Sequence, residues 1–303
     1  MSPEYLYILE VFVIGKKINL VHCKPNIPRF NILNSHLEVI ESLLWGFKDL
    51  GFECTFRTNE IDNSCINIIF GWQVAFQLIQ HRFMSELPAD TILYNLEQYS
   101  TQPMKGYPLA EQAAEKYQIW DYSIGNIVRW KELNPKFEPY YAKVGFAPNL
   151  IKIPFSAKED IDIAFIGSLG PRRSEKMISC GSTLNRNSVV SLCNVWGEMR
   201  DEFISRSKVL INISEEQKHM KVFEIVRVSY YLANKKAVVC EFLPGMEIED
   251  DILQVIKFEP AESIATACDV LVHNTEIRKN YAEECFETFR QRDVRDVIRN
   301  FFS

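Results

Sequence analysis

The segment KVFEIVRVSYYLANKKAVVCE, Lys221–Glu241, constrains the fold more than any other part of the chain. Phe223, Val226, Tyr230 and Ala233 recur at steps of three, four and three, which makes one apolar stripe at helical period. Ala237–Cys240 follows at once, a short β-branched run of the kind that is buried on both faces of a sheet. The stripe leaves Glu224 and Arg227 three apart on an adjacent face. As a salt bridge on a solvated face the pair would contribute only ~0.2–0.5 kcal/mol. Alternatively the two belong to a ligand site, with Glu224 accepting two sugar hydroxyls and Arg227 or Lys221 holding phosphate. The local sequence leaves both readings open.

The same alternation runs through the rest of the chain. In the first half the expected strands are Tyr5–Ile14, Ile18–Cys23, Phe52–Arg57, Ile66–Phe70, Thr91–Leu96 and Trp120–Ser123. Between them lie helices at Leu37–Leu50, Gln73–Glu86, Leu109–Tyr117 and Val128–Leu133. Ser35 and Glu38 form a capping box ahead of Leu37, and Gly51 is a good residue to end that helix. Lys143–Pro154, with two prolines among extended residues, reads as the passage between domains. The alternation then restarts with strands Ile161–Ile166, Val189–Cys193, Val209–Ile213, Ala237–Cys240 and Val255–Phe258. Helices begin at Ser174 and cover Asp201–Arg206, Ala261–Val272 and Glu276–Phe302. Strands alternating with helices predict an α/β protein with parallel sheets covered on both faces. The expected division is 1–147 as an acceptor-side domain, 148–275 as a nucleotide-side domain, and 276–303 as closing helices that pack back on the first.

A chain of 303 residues suits two domains of this size, and a net charge of −6 supplies no basic excess to displace counterions from nucleic acid. The eight cysteines are scattered without a CxxC, no apolar run reaches membrane-span length, and no signal peptide is evident; a cytoplasmic protein with reduced thiols is expected.

In open parallel sheets ligands bind beyond the carboxyl ends of the strands. Gly167, Ser168, Arg172 and Arg173 follow Ile166; Glu198 follows Cys193; Lys221 and Glu224 follow Ile213. Glycines, arginines and carboxylates therefore converge at one rim, as a nucleoside diphosphate requires. Small residues let backbone N–H groups approach the pyrophosphate, a helix N-terminus adds partial positive charge, and arginines supply charge-assisted bonds without a metal. The other reading of Arg172 and Arg173 is a pair of solvated arginines at a helix start. In the first half the corresponding residues are Gly71, Asn95, Glu97, Gln98, Asp121 and Asn126. Glu97 and Asp121 are the candidates for a general base that takes a proton from an acceptor hydroxyl, while Asn95 and Gln98 equally suit turn caps. There is no GxGxxG after the first strand and no GxxxxGK[ST]. Asp160 and Asp162 spell DxD but stand at the start of a strand, away from the rim, and the five histidines lack metal-ligand spacing. No metal and no cofactor is expected.

FIGSLGPRR at Phe165–Arg173, WGEMRDEFISRSKVLINIS at Trp196–Ser214 and FEIVRVSYYLANKKAVVCE at Phe223–Glu241 resemble the donor-binding domain of group 1 glycosyltransferases of GT-B type. YNLEQ at Tyr94–Gln98 and DYSIGN at Asp121–Asn126 resemble segments of bacterial glycosyltransferase-like proteins. The resemblance implies two Rossmann-like domains facing a central cleft, a nucleotide-sugar donor such as a UDP-sugar, and no required metal. It implies Gly167 and Ser168 beside the diphosphate, with Glu224 on the ribose. From its place on the rim Glu198 is expected as a further ribose or base contact. The glutamate pair that many members carry eight positions apart is absent here, where Val222 and Tyr230 stand instead. The function implied is metal-independent glycosyl transfer to an acceptor hydroxyl in glycan or surface polysaccharide synthesis. The acceptor would be a glycan, a small molecule or a peptide, and any membrane association would run through it. The competing expectations are a non-catalytic nucleotide- or glycan-binding protein on the same fold and a nucleotide-sugar epimerase.

Overall fold

The computed structural model describes residues 15–24, 32–73, 87–99, 110–154, 158–183, 188–215 and 222–303. The expected strand Tyr5–Ile14, nearly all of the expected helix Gln73–Glu86, and Lys221 lie outside the described residues. The chain divides into two units, Met1–Asn149 with Asp293–Ser303, and Leu150–Arg292. The first boundary falls inside the proline-bearing segment Lys143–Pro154.

The first unit is built on a six-stranded sheet of β1 (Lys17–His22), β2 (Glu53–Thr58), β3 (Ile66–Phe70), β4 (Ile92–Asn95), β5 (Gln118–Asp121) and β6 (Tyr140–Tyr141). The order is β2-β1-β3-β4-β5-β6 and every pairing is parallel. All of β4, and all of β1 and β3 but their first residues, is buried, so these strands are mostly apolar without alternation, and the asparagines within β1 and β3 pair with each other, Asn19 Nδ2 donating to Asn67 Oδ1 at 2.8 Å. The helices are α1 (Leu37–Asp49), α2 (Ala110–Lys116) and α3 (Ile124–Leu133).

A 3-10 turn over Ile32–His36 runs directly into helix α1, and the residue before the helix is His36, in helical backbone with no side-chain capping bond of its own. Ser35 and Glu38, the expected capping box, lie on either side of that junction. The end of α1 follows the sequence: Gly51 has φ +84°, and Phe52 N–H donates to Phe47 C=O at 3.0 Å in a Schellman-type closure.

The second unit carries β7 (Ile161–Ile166), β8 (Val189–Leu192), β9 (Ser207–Asn212), β10 (Ala237–Glu241) and β11 (Lys257–Glu259), in the parallel order β11-β10-β9-β7-β8. Its helices are α4 (Pro171–Thr183), α5 (Gly197–Arg206), α6 (Ile225–Ala233), α7 (Asp250–Val255), α8 (Ile264–His273) and α9 (Thr275–Arg290). The sequence stripe makes α6 amphipathic; in the structure every residue of α6 except Arg227 is buried. A helix apolar all round lies inside the domain, so Glu224 and Arg227 do not share a solvated face.

The closing segment splits. Helix α9 belongs to the second unit, where Tyr281 donates its hydroxyl to Val238 C=O at 2.6 Å and accepts from Lys257 N–H at 2.8 Å. Only α10 (Val294–Phe302) returns to the first unit, where it packs on α1. A Cβ at Gly46 would lie 2.8 Å from Val294 Cγ1 and 2.9 Å from Ile298 Cδ1, so the glycine permits this approach. Tyr140 donates its hydroxyl to Val297 C=O at 2.7 Å, and the Trp120 and Phe301 rings meet edge to face at 4.9 Å. The expectation that the whole of 276–303 packs on the first domain therefore fails for α9, whose buried face is shaped for β10. Among the described residues no helix is long and apolar enough to cross a membrane.

Candidate functional site

At the carboxyl end of the second sheet, the Arg173 and Arg227 guanidiniums both lie over the buried ring of Phe165, each 5.7 Å from its centroid. Arg173 donates Nε–H to Ile213 C=O at 2.8 Å and Nη1–H to Ser168 Oγ at 3.1 Å, and stands 3.3 Å from the Glu215 carboxylate. Arg227 donates to Asn212 Oδ1 at 2.8 Å, and its other terminal nitrogen is 3.9 Å from the Glu224 carboxylate. Gly167 makes this geometry fit, since a Cβ there would come within 3.4 Å of the Arg227 guanidinium and 3.2 Å of the Phe165 ring. A side chain at Gly170 would collide with Glu215. Burial first, and then the neighbouring Arg227, lowers the Arg173 pKa. Two guanidiniums facing one ring beside the N-terminus of α4 form an arrangement that an anion stabilises. The structure thus brings together Gly167, Ser168, Arg173, Glu224 and Arg227.

Arg172 is not part of that group. Its guanidinium forms a two-pronged pair with Glu241, which is 1% exposed, and also donates to Ser214 C=O; Glu241 in turn accepts Ser214 N–H at 3.0 Å. Arg172 therefore ties the start of α4 to the tips of β9 and β10, and the expected phosphate contact is corrected to an internal one. Local sequence could not show this, because Glu241 lies 69 positions away. Glu198 is exposed in the first turn of α5, past the tip of the edge strand, and no hydrogen bond or ion pair among the described residues joins it to the Arg227 group. The loop before it is shaped by left-handed residues at Asn194 and Gly197, φ +54° and +61°, with Trp196 Nε1–H donating to Asn194 Oδ1 at 3.2 Å. Asp160 and Asp162 pair with Arg206 and Lys208 at the opposite end of β7, and no metal-ligand cluster occurs among the described residues.

At the carboxyl end of the first sheet the expected residues sort into an inner and an outer layer. Asp121 has no exposed surface and accepts from Asn95 Nδ2 at 2.7 Å, Trp130 Nε1 at 2.9 Å, Ser123 N at 3.0 Å and Asn126 Nδ2 at 3.0 Å. Burial pushes its pKa up to about 7, against those donors, which pull it down. With its lone pairs so engaged Asp121 cannot receive an acceptor hydroxyl, which corrects its assignment as a base. Asn95 and Asn126 are likewise fully buried, which removes them from the acceptor surface. Gly71, with φ +71°, makes the turn after β3, a position where a left-handed backbone favours glycine. Gln98 is half-buried beyond β4.

Glu97 is the outer group. Its side chain is 37% exposed, and its carboxylate lies 3.5 Å from Nε2 of His36, a residue only 2% exposed. His36 Nδ1 has no hydrogen-bond partner among the described residues. No local pattern points to His36, which sits between the two residues of the capping box, nor to Trp130, whose indole reads as helix core.

No protein-family model matches the chain. An uncharacterised protein of Acanthamoeba polyphaga mimivirus is 26% identical over 249 residues, covering 80% of this chain and 77% of that protein. Among solved structures, Anabaena HepE in complex with UDP and glucose superposes with a TM-score of 0.61 at 12% identity, covering 95% of this chain and 98% of the other. The DNA modifying enzyme β-glucosyltransferase, studied with and without uridine diphosphoglucose, gives 0.58 at 12% identity over 94% of this chain and 98% of its own. A glycosyltransferase from Rickettsia africae gives 0.55 at 12% identity over 94% and 96%. The fold of this chain is that of the GT-B glycosyltransferases.

Proposed function

We propose that this protein is a glycosyltransferase that takes a sugar from a UDP-sugar and transfers it to an acceptor hydroxyl. The observation that carries the reading is the paired guanidiniums of Arg173 and Arg227 over Phe165, with Glu224 3.9 Å from Arg227. Arg227 and the α4 N-terminus meet the diphosphate, Gly167 and Ser168 leave room for it, and Glu224 accepts from the ribose hydroxyls. The developing charge on the departing UDP is then met by fixed guanidiniums and backbone dipoles, which is the electrostatic task a metal performs elsewhere. The half-buried indole of Trp196 offers a stacking face for the base. In the first unit Glu97 is the base: the acceptor O–H proton goes to its carboxylate and the oxygen bonds to the anomeric carbon. The bond from that carbon to the diphosphate oxygen breaks, and its electron pair leaves with UDP. A place in the cytoplasm and in glycan or surface polysaccharide synthesis completes the proposal.

Titration calorimetry with UDP and UDP-glucose tests it. The chain should bind UDP with EDTA present, and Glu224→Ala and Arg227→Ala should each weaken binding tenfold or more, about 1.4 kcal/mol. Absence of UDP binding, or unchanged affinity in both variants, rejects the donor site. Release of UDP from UDP-glucose separates an enzyme from a protein that binds nucleotide without turnover.

A further inference from the structure

We infer that Asp121, which touches no substrate in this reading, is the positioning residue that fixes Glu97 for proton abstraction, acting through the two buried amides of Asn95 and Asn126. The inference rests on Glu97 being the base. Asn95 Nδ2 donates to the Asp121 carboxylate at 2.7 Å and to Glu97 C=O at 2.9 Å, while Asn95 Oδ1 accepts Glu97 N–H at 3.1 Å. Asn126 Nδ2 donates to the same carboxylate at 3.0 Å and to the same Glu97 carbonyl at 2.8 Å. The Glu97 peptide is thus held at both its N–H and its C=O by amides that share one carboxylate, with the Gln73 side-chain amide also donating to Asn95 Oδ1. Asn126 Oδ1 also accepts Tyr99 N–H at 2.9 Å, so the hold extends past Glu97.

The chemistry explains why an ionisable group stands there. An amide flipped by half a turn would present oxygen where nitrogen now stands. A carboxylate accepts only, so it forces the NH2 edge of both asparagines inward and leaves one N–H of each for the Glu97 carbonyl. Trp130 Nε1–H at 2.9 Å and Ser123 N–H at 3.0 Å hold the carboxylate itself, anchoring it to α3 and its entry turn. An asparagine at 121, which would bring an NH2 of its own, cannot impose that choice on all its donors. Proton transfer depends on a base held within hydrogen-bond reach of the reacting hydroxyl, and displacement of about 1 Å is costly.

Asp121→Asn, Glu97→Gln and the double variant of the full chain test this by amide hydrogen exchange and by UDP release from UDP-glucose. Asp121→Asn should speed exchange at Glu97 and Tyr99 at least tenfold, with the amides of β7–β11 unchanged. It should lower UDP release about tenfold while UDP affinity stays within twofold. Glu97→Gln should lower release by about a hundredfold or more, and adding Asp121→Asn to it should lower it no further. Multiplying losses in the double variant, or unaltered exchange at Glu97, overturns the inference. If Glu97→Gln retains the full rate, or the wild type releases no UDP, the reading of Glu97 or of the donor falls instead, and the exchange result alone decides whether Asp121 holds the peptide. Should Asp121→Asn not fold, Asn126→Ala removes one of the two amide bonds to the Glu97 carbonyl and should give the same exchange signature.

Discussion

The two sheets end in rims that stabilise buried charge by opposite means. In the second unit charge meets charge: Arg172 with Glu241, Arg173 with Glu215, Arg227 with Glu224. In the first unit the buried carboxylate of Asp121 meets neutral donors from Asn95, Asn126, Trp130 and the Ser123 backbone. Both rims are layered all the same. An inner group, closed off and fully engaged, shapes the loop, and an outer group remains reachable: Arg227 and Glu224 in one unit, Glu97 and His36 in the other. Residue type does not decide which layer a side chain joins. Arg172 and Arg173 are both enclosed, the first on Glu241 and the second on Ile213 C=O and Ser168, while Arg227 keeps about a fifth of its side chain exposed.

The comparison breaks most sharply at the arginines. Arg172→Ala leaves Glu241 buried without its partner and should cost about 3–5 kcal/mol in urea unfolding. Arg227→Ala removes one bond to Asn212 and should cost about 1–2 kcal/mol, with its main effect on UDP affinity. Equal losses of stability would erase the distinction between inner and outer layers.

The amide-held carboxylate should reveal itself through pH. Asp121 has a folded pKa of about 7, against about 3.9 in an unfolded chain. Between those values the folded state holds the extra proton, so its contribution is fully present below the unfolded pKa and is lost as pH rises through 7. Unfolding free energy should fall by about 1.4 kcal/mol per pH unit, or on the order of 2 kcal/mol from pH 5.5 to 7. Urea titrations at the two pH values should show that difference between wild type and Asp121→Asn; parallel slopes would remove the burial argument.

A smaller effect sharpens the charged rim. Gly167→Ala places a methyl 3.2 Å from Phe165 and 3.4 Å from the Arg227 guanidinium, which must give way by a few tenths of an ångström. UDP affinity should fall by roughly threefold, near 0.7 kcal/mol, without loss of fold as read by circular dichroism. Smallest of all, Asp160→Asn and Asp162→Asn should leave UDP affinity unchanged with magnesium or with EDTA, since both pair with cations at the far end of β7. A magnesium-dependent loss would give the DxD a role the rim does not share.

Much of the fold is legible because burial on both faces writes itself into sequence as runs dominated by Ile, Leu, Val and Phe, with a single polar residue in each. Ile66–Phe70 and Ile161–Ile166 coincide with strands residue for residue. Helix α3 starts at Ile124, four residues before the expected Val128, because its first turn carries polar residues that belong to the Asp121 network. Of the candidate site, the strand-tip rule, which needs only strand direction, selects Gly167, Ser168, Arg173 and Glu224, and the helical stripe selects Arg227. The same rule selects Asp121, Asn95 and Asn126 without their task, because a strand tip does not tell a buried polar side chain from a reachable one.

The sequence by itself determined the strand and helix alternation, the restart near Lys143–Pro154 and the set of polar residues that crowd the strand ends. These follow from periodicity and turn chemistry, which act over a few residues. Tertiary structure alone decided that Arg172 closes on Glu241, that Glu97 lies against His36, and that α9 and α10 part company. Each depends on partners tens or hundreds of positions away, and at that separation it is packing and desolvation, rather than local pattern, that choose which polar group is enclosed and which is left to meet a ligand.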